Sequence, residues 1–395
     1  MNAGEQKTDG MTWLVAPGLA MIAATYGLAR FAYGLFLPEM RQAFGLSETV
    51  LGLIGAGSYV GYCVAIIALV FTSRAGPRFM VVVAGAVAVV GMAAVAGAPT
   101  TWVLALGVLA AGSSSGLASP PMGEAVVRSI RRGLQDRANT LINSGTSIGV
   151  ALSGPAALLL AEQWRLAWAA FASIGLLVLV WNARVMPPKP LSGGPLDETE
   201  AGDVPRLSVR YLMGAKSMLL YAAATGVGFA SAAYWTFSRD LVVQTGDLSM
   251  AGSTLFWTVI GVSGIAGGLA GDLVRRLGLT RAFRASLLCM AAAVGLLAAA
   301  PDVLLLAYLS ATLFGSTYIM LTGIILVWSV SVFHERPSAG LGAAFLLIAV
   351  GQILGSLIAG VVAGAAGLPP TFWAFAGVAA LTALIKPRTE QPQAT

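Results

Sequence analysis

Residues 13–39 read Trp13-Leu-Val-Ala-Pro-Gly-Leu-Ala-Met-Ile-Ala-Ala-Thr-Tyr-Gly-Leu-Ala-Arg30-Phe-Ala-Tyr-Gly-Leu-Phe-Leu37-Pro-Glu39. At ~1.5 Å of rise per residue, ~20 residues cross the ~30 Å apolar core of a bilayer, so this run is long enough to span one. Arg30 is a permanent cation well inside it. Such a residue costs roughly 2.5–3.5 kcal/mol at the centre of a membrane helix, so it needs a partner, a water-filled cavity or a route to the interface.

The rest of the chain follows the same pattern. Of its 395 residues 57% are hydrophobic and 10% charged, with a mean hydropathy of +0.82; a soluble domain carries about 25% charged residues. Apolar runs fall at 12–37, 49–72, 79–98, 102–126, 138–161, 165–184, 212–236, 250–272, 282–300, 303–329, 341–364 and 370–386. The composition therefore predicts an all-α integral membrane protein with twelve transmembrane helices. The first run is too long for a signal-peptide core and reads as an uncleaved span.

Basic residues set the orientation. With the N-terminus inside, nineteen of the 23 Lys and Arg residues fall in inner segments, and Arg41, Arg165 and Arg239 in outer loops. The positive-inside rule then predicts both termini in the cytoplasm and a multi-pass protein of the inner (cytoplasmic) membrane. The net charge of +6 is thus membrane topology, not a nucleic-acid surface. Most Trp residues lie near the ends of runs, as an aromatic belt requires, and Trp257 lies deeper.

Residues 186–210, rich in Pro, Gly and acid, are too polar for the membrane and read as a cytoplasmic linker. They divide the chain into a six-helix bundle over 1–185 and a second over 211–395. The halves repeat. Ser73-Arg-Ala-Gly76 matches Arg275-Arg-Leu-Gly278, Ala32-Tyr33 matches Ala233-Tyr234, and Gly145, Gly149 and Gly154 match Gly351, Gly355 and Gly360. Parallel repeats predict a binding site between the halves near the midplane.

With these features the chain resembles a major facilitator superfamily transporter over essentially its full length. The superfamily's loop between spans two and three carries a Gly, an Asp and basic residues around a second Gly. Here Arg74, Gly76 and Arg78 remain, with Ser73 at the Asp position; in the second half Gly271, Asp272, Arg276 and Gly278 remain, with Arg275 at that position. The resemblance implies a cytoplasmic latch between helices. Residues 30–39 resemble the bacterial branch near the cyanate-type permeases. Gly145, Gly149 and Gly154-Pro155 resemble the Gly-Pro motif of drug antiporters, without its paired glycines after the Pro; close packing of small residues accounts for them equally.

Arg30 has three readings: snorkelling to the outer interface, an ion pair within the bundle, or a cavity cation that binds an anion. Counting from Trp13 puts it roughly 6 Å outward of the midplane. Tyr26 at i−4 and Tyr33 at i+3 share its α-helical face, and a guanidinium beside two phenols suits a carboxylate. In the organophosphate antiporters of the superfamily an Arg on the first helix similarly binds the substrate anion. The repeat equivalent of Arg30 reads as Ser231, so no second cation is expected. The resemblance makes spans one, four, seven and ten line the cavity, adding Ser231, Tyr234, Trp235 and Tyr318; Asn143 and Gln352 are mid-span amides. For each, an interhelical hydrogen bond is the plain alternative.

Glu124, after Pro120-Pro121, is the carboxylate nearest the membrane interior on the inner side, and reads either as a proton-coupling site or as a partner of Arg128. Gly112-Ser-Ser-Ser-Gly116 formally matches a nucleophile elbow, but that motif needs a preceding strand and a nearby His, and the sole histidine, His334, falls in a loop. No catalytic residue, cofactor or metal is expected, and Cys63 and Cys289 lie in separate apolar runs. The sequence thus predicts a non-enzymatic secondary transporter of a small organic anion, working as a monomer by alternating access with a coupled proton or counter-anion. Proton-coupled efflux of drugs or metabolites is the alternative.

Overall fold

The computed structural model describes residues 9–71, 76–160, 163–186, 214–246, 248–334 and 337–388. Arg74 and residues 187–210 of the linker lie outside them. All regular structure among the described residues is helical, as lipid demands, because a helix satisfies its own backbone polar groups.

Among the described residues ten helices are long and apolar enough to span a membrane, beginning with Trp13–Leu35, Glu48–Leu69, Pro77–Ala96 and Thr101–Ser129. The fifth span is divided into Arg132–Asn143 and Gly145–Leu159, yet Ser144 keeps helical dihedrals (φ −61°, ψ −17°) and its carbonyl accepts from the Ile148 amide at 3.1 Å, so the rod continues. The sixth to eleventh are Trp164–Val185, Ser217–Gln244, Met250–Leu277, Leu279–Ala299, Leu304–Val332 and Gly340–Ala366. The twelfth, Leu368–Thr382, is shorter; it starts at Gly367, whose φ of +87° suits only a residue without Cβ. Among the described residues twelve spans result, as the apolar runs predict.

Spans pack first within each half: the second and third on the fourth, the third on the sixth, the eighth and ninth on the tenth, and the seventh on the eleventh and twelfth. Two long seams join the halves, the second span along the eleventh and the fifth along the eighth. Glycine makes both kinds of contact, and in mirrored fashion. A Cβ on Gly145 would sit 2.3 Å from the Leu19 carbonyl oxygen and one on Gly149 2.4 Å from that of Ala23; Gly351 and Gly355 stand in the same relation to Thr225 (2.1 Å) and Phe229 (2.7 Å). The third glycine of each set faces the other half, Gly154 against Thr254 and Thr258, and Gly360 against Glu48 and Gly52. Every one of these pairs is displaced by 206 residues from its counterpart. The glycine motif of the fifth span is therefore a packing device, built twice.

Gly149→Ala is expected to destabilise the protein by about 2 kcal/mol or more, because the added methyl meets backbone that cannot rotate away. Gly123→Ala, with open space around it, is expected to be neutral or slightly stabilising. Thermal unfolding of the two variants in detergent checks the contrast.

Candidate functional site

The first span is not a uniform α-helix. Asp9–Ile22 is α-helical, Ala23–Phe31 is a nine-residue π-helical stretch, and Ala32–Leu35 returns to α. A π turn closes i→i+5 bonds and holds an extra residue, so side chains beyond it are re-aimed relative to an α-helix. Gly27 within it lies against Gly149, where a Cβ would approach backbone to 2.4 Å. Arg30 is the last residue but one of this stretch and is 6% exposed. It points into the bundle, not along a snorkelling path.

Aromatic rings surround its guanidinium. The Tyr62 ring centroid lies 4.3 Å away, Tyr59 4.8 Å, Phe31 5.4 Å and Tyr26 5.6 Å. Ring quadrupoles attract a cation, by about 2 kcal/mol each when desolvated. Across the interface between halves, an Arg30 amino group donates to Oε1 of Gln352 at 3.0 Å. The Gln352 amide in turn donates to the Tyr318 hydroxyl at 3.1 Å. Among the described residues no carboxylate pairs with Arg30. A small cavity of about 10 Å³ adjoins it, lined by Arg30, Tyr33, Ser58, Tyr59, Trp235 and Thr236, among others. Arg30 Nε and Trp235 Nε1 are buried and have no hydrogen-bond partner among the described residues. Buried donors left without acceptors are rare and costly.

Of the residues singled out in the sequence, Arg30, Tyr26, Trp235, Tyr318 and Gln352 come together here. Tyr26 also shares a 2.8 Å hydrogen bond with Ser119 of the fourth span, and Trp235 stacks on Phe31 at 4.1 Å. Tyr33 lines the same cavity as Arg30, and its hydroxyl donates to the Leu51 carbonyl at 2.8 Å. Ser231 hydrogen-bonds the Gly228 carbonyl at 2.9 Å. It is not the counterpart of Arg30: the 206-residue displacement carries Arg30 to Thr236, which lines the same cavity. Tyr234 is buried in the second half, stacked on Phe314 at 3.8 Å and bonded to Ser310. Asn143 is exposed and donates to the Asn139 carbonyl one turn back, away from the site. Tyr59 and Tyr62 join the site without having been singled out; their signal is the i, i+3 spacing on one face of the second span.

Glu124 forms an ion pair with Arg128 on its own helix, the two side chains being 42% and 46% exposed. Glu124→Gln is expected to leave transport within about twofold, since exposed i,i+4 pairs contribute only ~0.3–0.5 kcal/mol; initial uptake rates in vesicles measure this. Asp272 pairs with Arg275 on one helix rather than between helices. Gly278, at φ +78°, ends that helix, with Arg276 in its last turn; Gly76 caps the start of the third span, with Arg78 in its first turn.

At the opposite face from the chain ends, charges join the halves. Arg239 donates to a Glu39 carboxylate oxygen at 2.7 Å, to the Leu35 carbonyl, and to Ser253 Oγ at 3.3 Å. Arg41 reaches Asp240 and Glu48, both at 2.5 Å. Arg239, expected in a loop, is inside the seventh helix and 2% exposed.

Comparison with known proteins agrees with this architecture. Residues 22–386 match the family described as uncharacterised MFS-type transporter YbfB. The chain is 23% identical over 336 residues to the purine ribonucleoside efflux pump NepI of Escherichia coli, covering 84% of this chain and 78% of that protein. Its fold is similar to that of the nucleoside transporter NupG, crystallised as a mutant (TM-score 0.73, 11% identity, 94% and 98% of the two chains). It is also similar to that of a bacterial homologue of the human lysosomal transporter Spinster, crystallised in an inward-facing and unoccupied conformation (TM-score 0.70, 13% identity, 95% and 94%). These relatives leave the narrower likeness of residues 30–39 to cyanate-type permeases without support.

Proposed function

Since the chain belongs to the YbfB-type family of major facilitator superfamily transporters, we propose that it moves a small organic anion bound to Arg30 between its two halves. The observation that carries this reading is a buried guanidinium that has no carboxylate partner among the described residues and meets only rings and one neutral amide. Burying an unpaired cation is costly, and cation–π contacts offset it only in part. A carboxylate offsets it further, accepting from the guanidinium in charge-assisted bonds while the rings enclose its organic body. The unpartnered donors of Arg30 and Trp235 beside the cavity fit the same acceptor.

In this reading residues 1–185 and 211–395 are the moving halves, joined by 186–210, and the basic face carries both termini into the cytoplasm of a bacterial inner membrane. The protein works as a monomer, exchanging its anion against a proton or a counter-anion. A second reading, efflux of nucleoside-like compounds, is favoured by the likeness to NepI and by the aromatic walls, on which a base could stack. Counterflow in proteoliposomes separates the two. The first reading expects carboxylate exchange that disappears with Arg30→Ala; adenosine flux that survives Arg30→Ala would replace it with the second.

A further inference from the structure

Gln352 holds the one side-chain hydrogen bond that Arg30 makes among the described residues, and it does so from the other half of the molecule. It is fully buried. Its amide has two ends, and the bond from Nε2 to the Tyr318 hydroxyl leaves the oxygen end for Arg30. A neutral carbonyl oxygen thus sits where an anionic oxygen would be bound.

Building on the anion reading above, we propose that Gln352 is an internal stand-in for the substrate and so a specificity-determining residue. A ligand that engages the Arg30 amino group held by Gln352 must displace that amide oxygen. A ligand with a neutral acceptor exchanges one carbonyl-type bond for another and gains little. A carboxylate exchanges a neutral acceptor for a charged one, whose hydrogen bonds are about twice as strong. Gln352 therefore rejects neutral isosteres by competition, without a steric clash, which is discrimination built against the wrong ligand. Displacement also breaks a bond between the halves, so loading the site removes one of the contacts that hold them in this arrangement. Tyr318 keeps the stand-in correctly oriented; it is a positioning residue.

The test uses benzoate, which offers one carboxylate and one ring, and benzamide, its neutral isostere. Binding is read from ligand-dependent thermal stabilisation of purified full-length protein. Gln352→Met keeps the side chain's length and removes both hydrogen-bonding ends, and its unliganded unfolding temperature shows whether it is folded. The expected result is that wild type prefers benzoate to benzamide by tenfold or more, on the order of a charge-assisted against a neutral bond. Gln352→Met is expected to bind benzoate several-fold more tightly and to narrow the preference, because competition is gone. Gln352→Glu, placing a carboxylate on Arg30 permanently, is expected to lose benzoate binding. Arg30-dependent benzoate binding that Gln352→Met weakens or leaves unchanged would overturn the stand-in role alone. Benzoate binding absent from wild type, or unaltered by Arg30→Ala, would overturn the anion reading and this inference with it.

Discussion

Arg30→Ala is expected to reduce exchange of a bound carboxylate by on the order of 10²-fold or more, since removing one partner of a buried charge-assisted contact costs about 2–5 kcal/mol. Arg30→Lys is expected to recover only part of this, because an ammonium keeps the charge but not the planar fork. Stability is expected to move the other way. In the unloaded protein Arg30 carries a buried charge with no carboxylate partner among the described residues, so alanine removes a cost as well as the cation–π contacts, and the apparent unfolding temperature should hold or rise. The pairing of lost exchange with retained stability separates a binding residue from a structural one. Exchange that persists in Arg30→Ala at wild-type rate removes the anion reading.

Arg239→Ala is the second large effect, and it acts on the balance between conformations. Arg239 is 2% exposed and ties the seventh span to Glu39 and the Leu35 carbonyl of the first. Taking away one member of a buried pair leaves the other unpaired, at a cost of about 3–5 kcal/mol. That cost falls on the state in which this face is closed. About 3 kcal/mol is on the order of a 10²-fold shift in a two-state equilibrium, so the face should open far more often. A cysteine introduced at Thr236, in a background lacking Cys63 and Cys289, is expected to react with an impermeant maleimide about tenfold faster or more. The double swap Glu39→Arg with Arg239→Glu should restore closure only in part, because a carboxylate cannot donate to the Leu35 carbonyl. Unchanged labelling in Arg239→Ala would show that these charges do not hold the face shut.

The contrast between what could be read in the chain and what could not has a simple physical origin. Twelve spans were legible because lipid forces each segment to satisfy its own backbone, so hydropathy alone marks them. Arg30 was legible as an energetic anomaly, and the glycine spacing as a repeat. Partners distant in sequence were not. Gln352 lies 322 residues from Arg30, and Glu39 200 residues from Arg239; a charge whose partner is that remote reads as a loop residue. The π stretch was equally hidden, since Ala23–Phe31 has ordinary helix composition. The counterpart of Arg30 moved from Ser231 to Thr236 because short sequence matches fix a repeat less well than mirrored backbone contacts do. Tyr59 and Tyr62 carry no charge to mark them, and two phenols in an apolar span look like packing until the cation they face is in place.

The mirrored glycines also bear on how the halves move. Where the fifth span meets the eighth, and the second meets the eleventh, Gly154, Gly261, Gly52 and Gly360 set backbone against the neighbouring span, often against backbone itself. At these points there are no large knobs to lift out of holes before one half can turn on the other. Mechanically these seams are bearings. In the proposed alternating-access cycle the fasteners are elsewhere, at the charged mouth formed by Glu39, Arg41, Arg239 and Asp240 and at the Arg30–Gln352 bond, and reorientation has to release them.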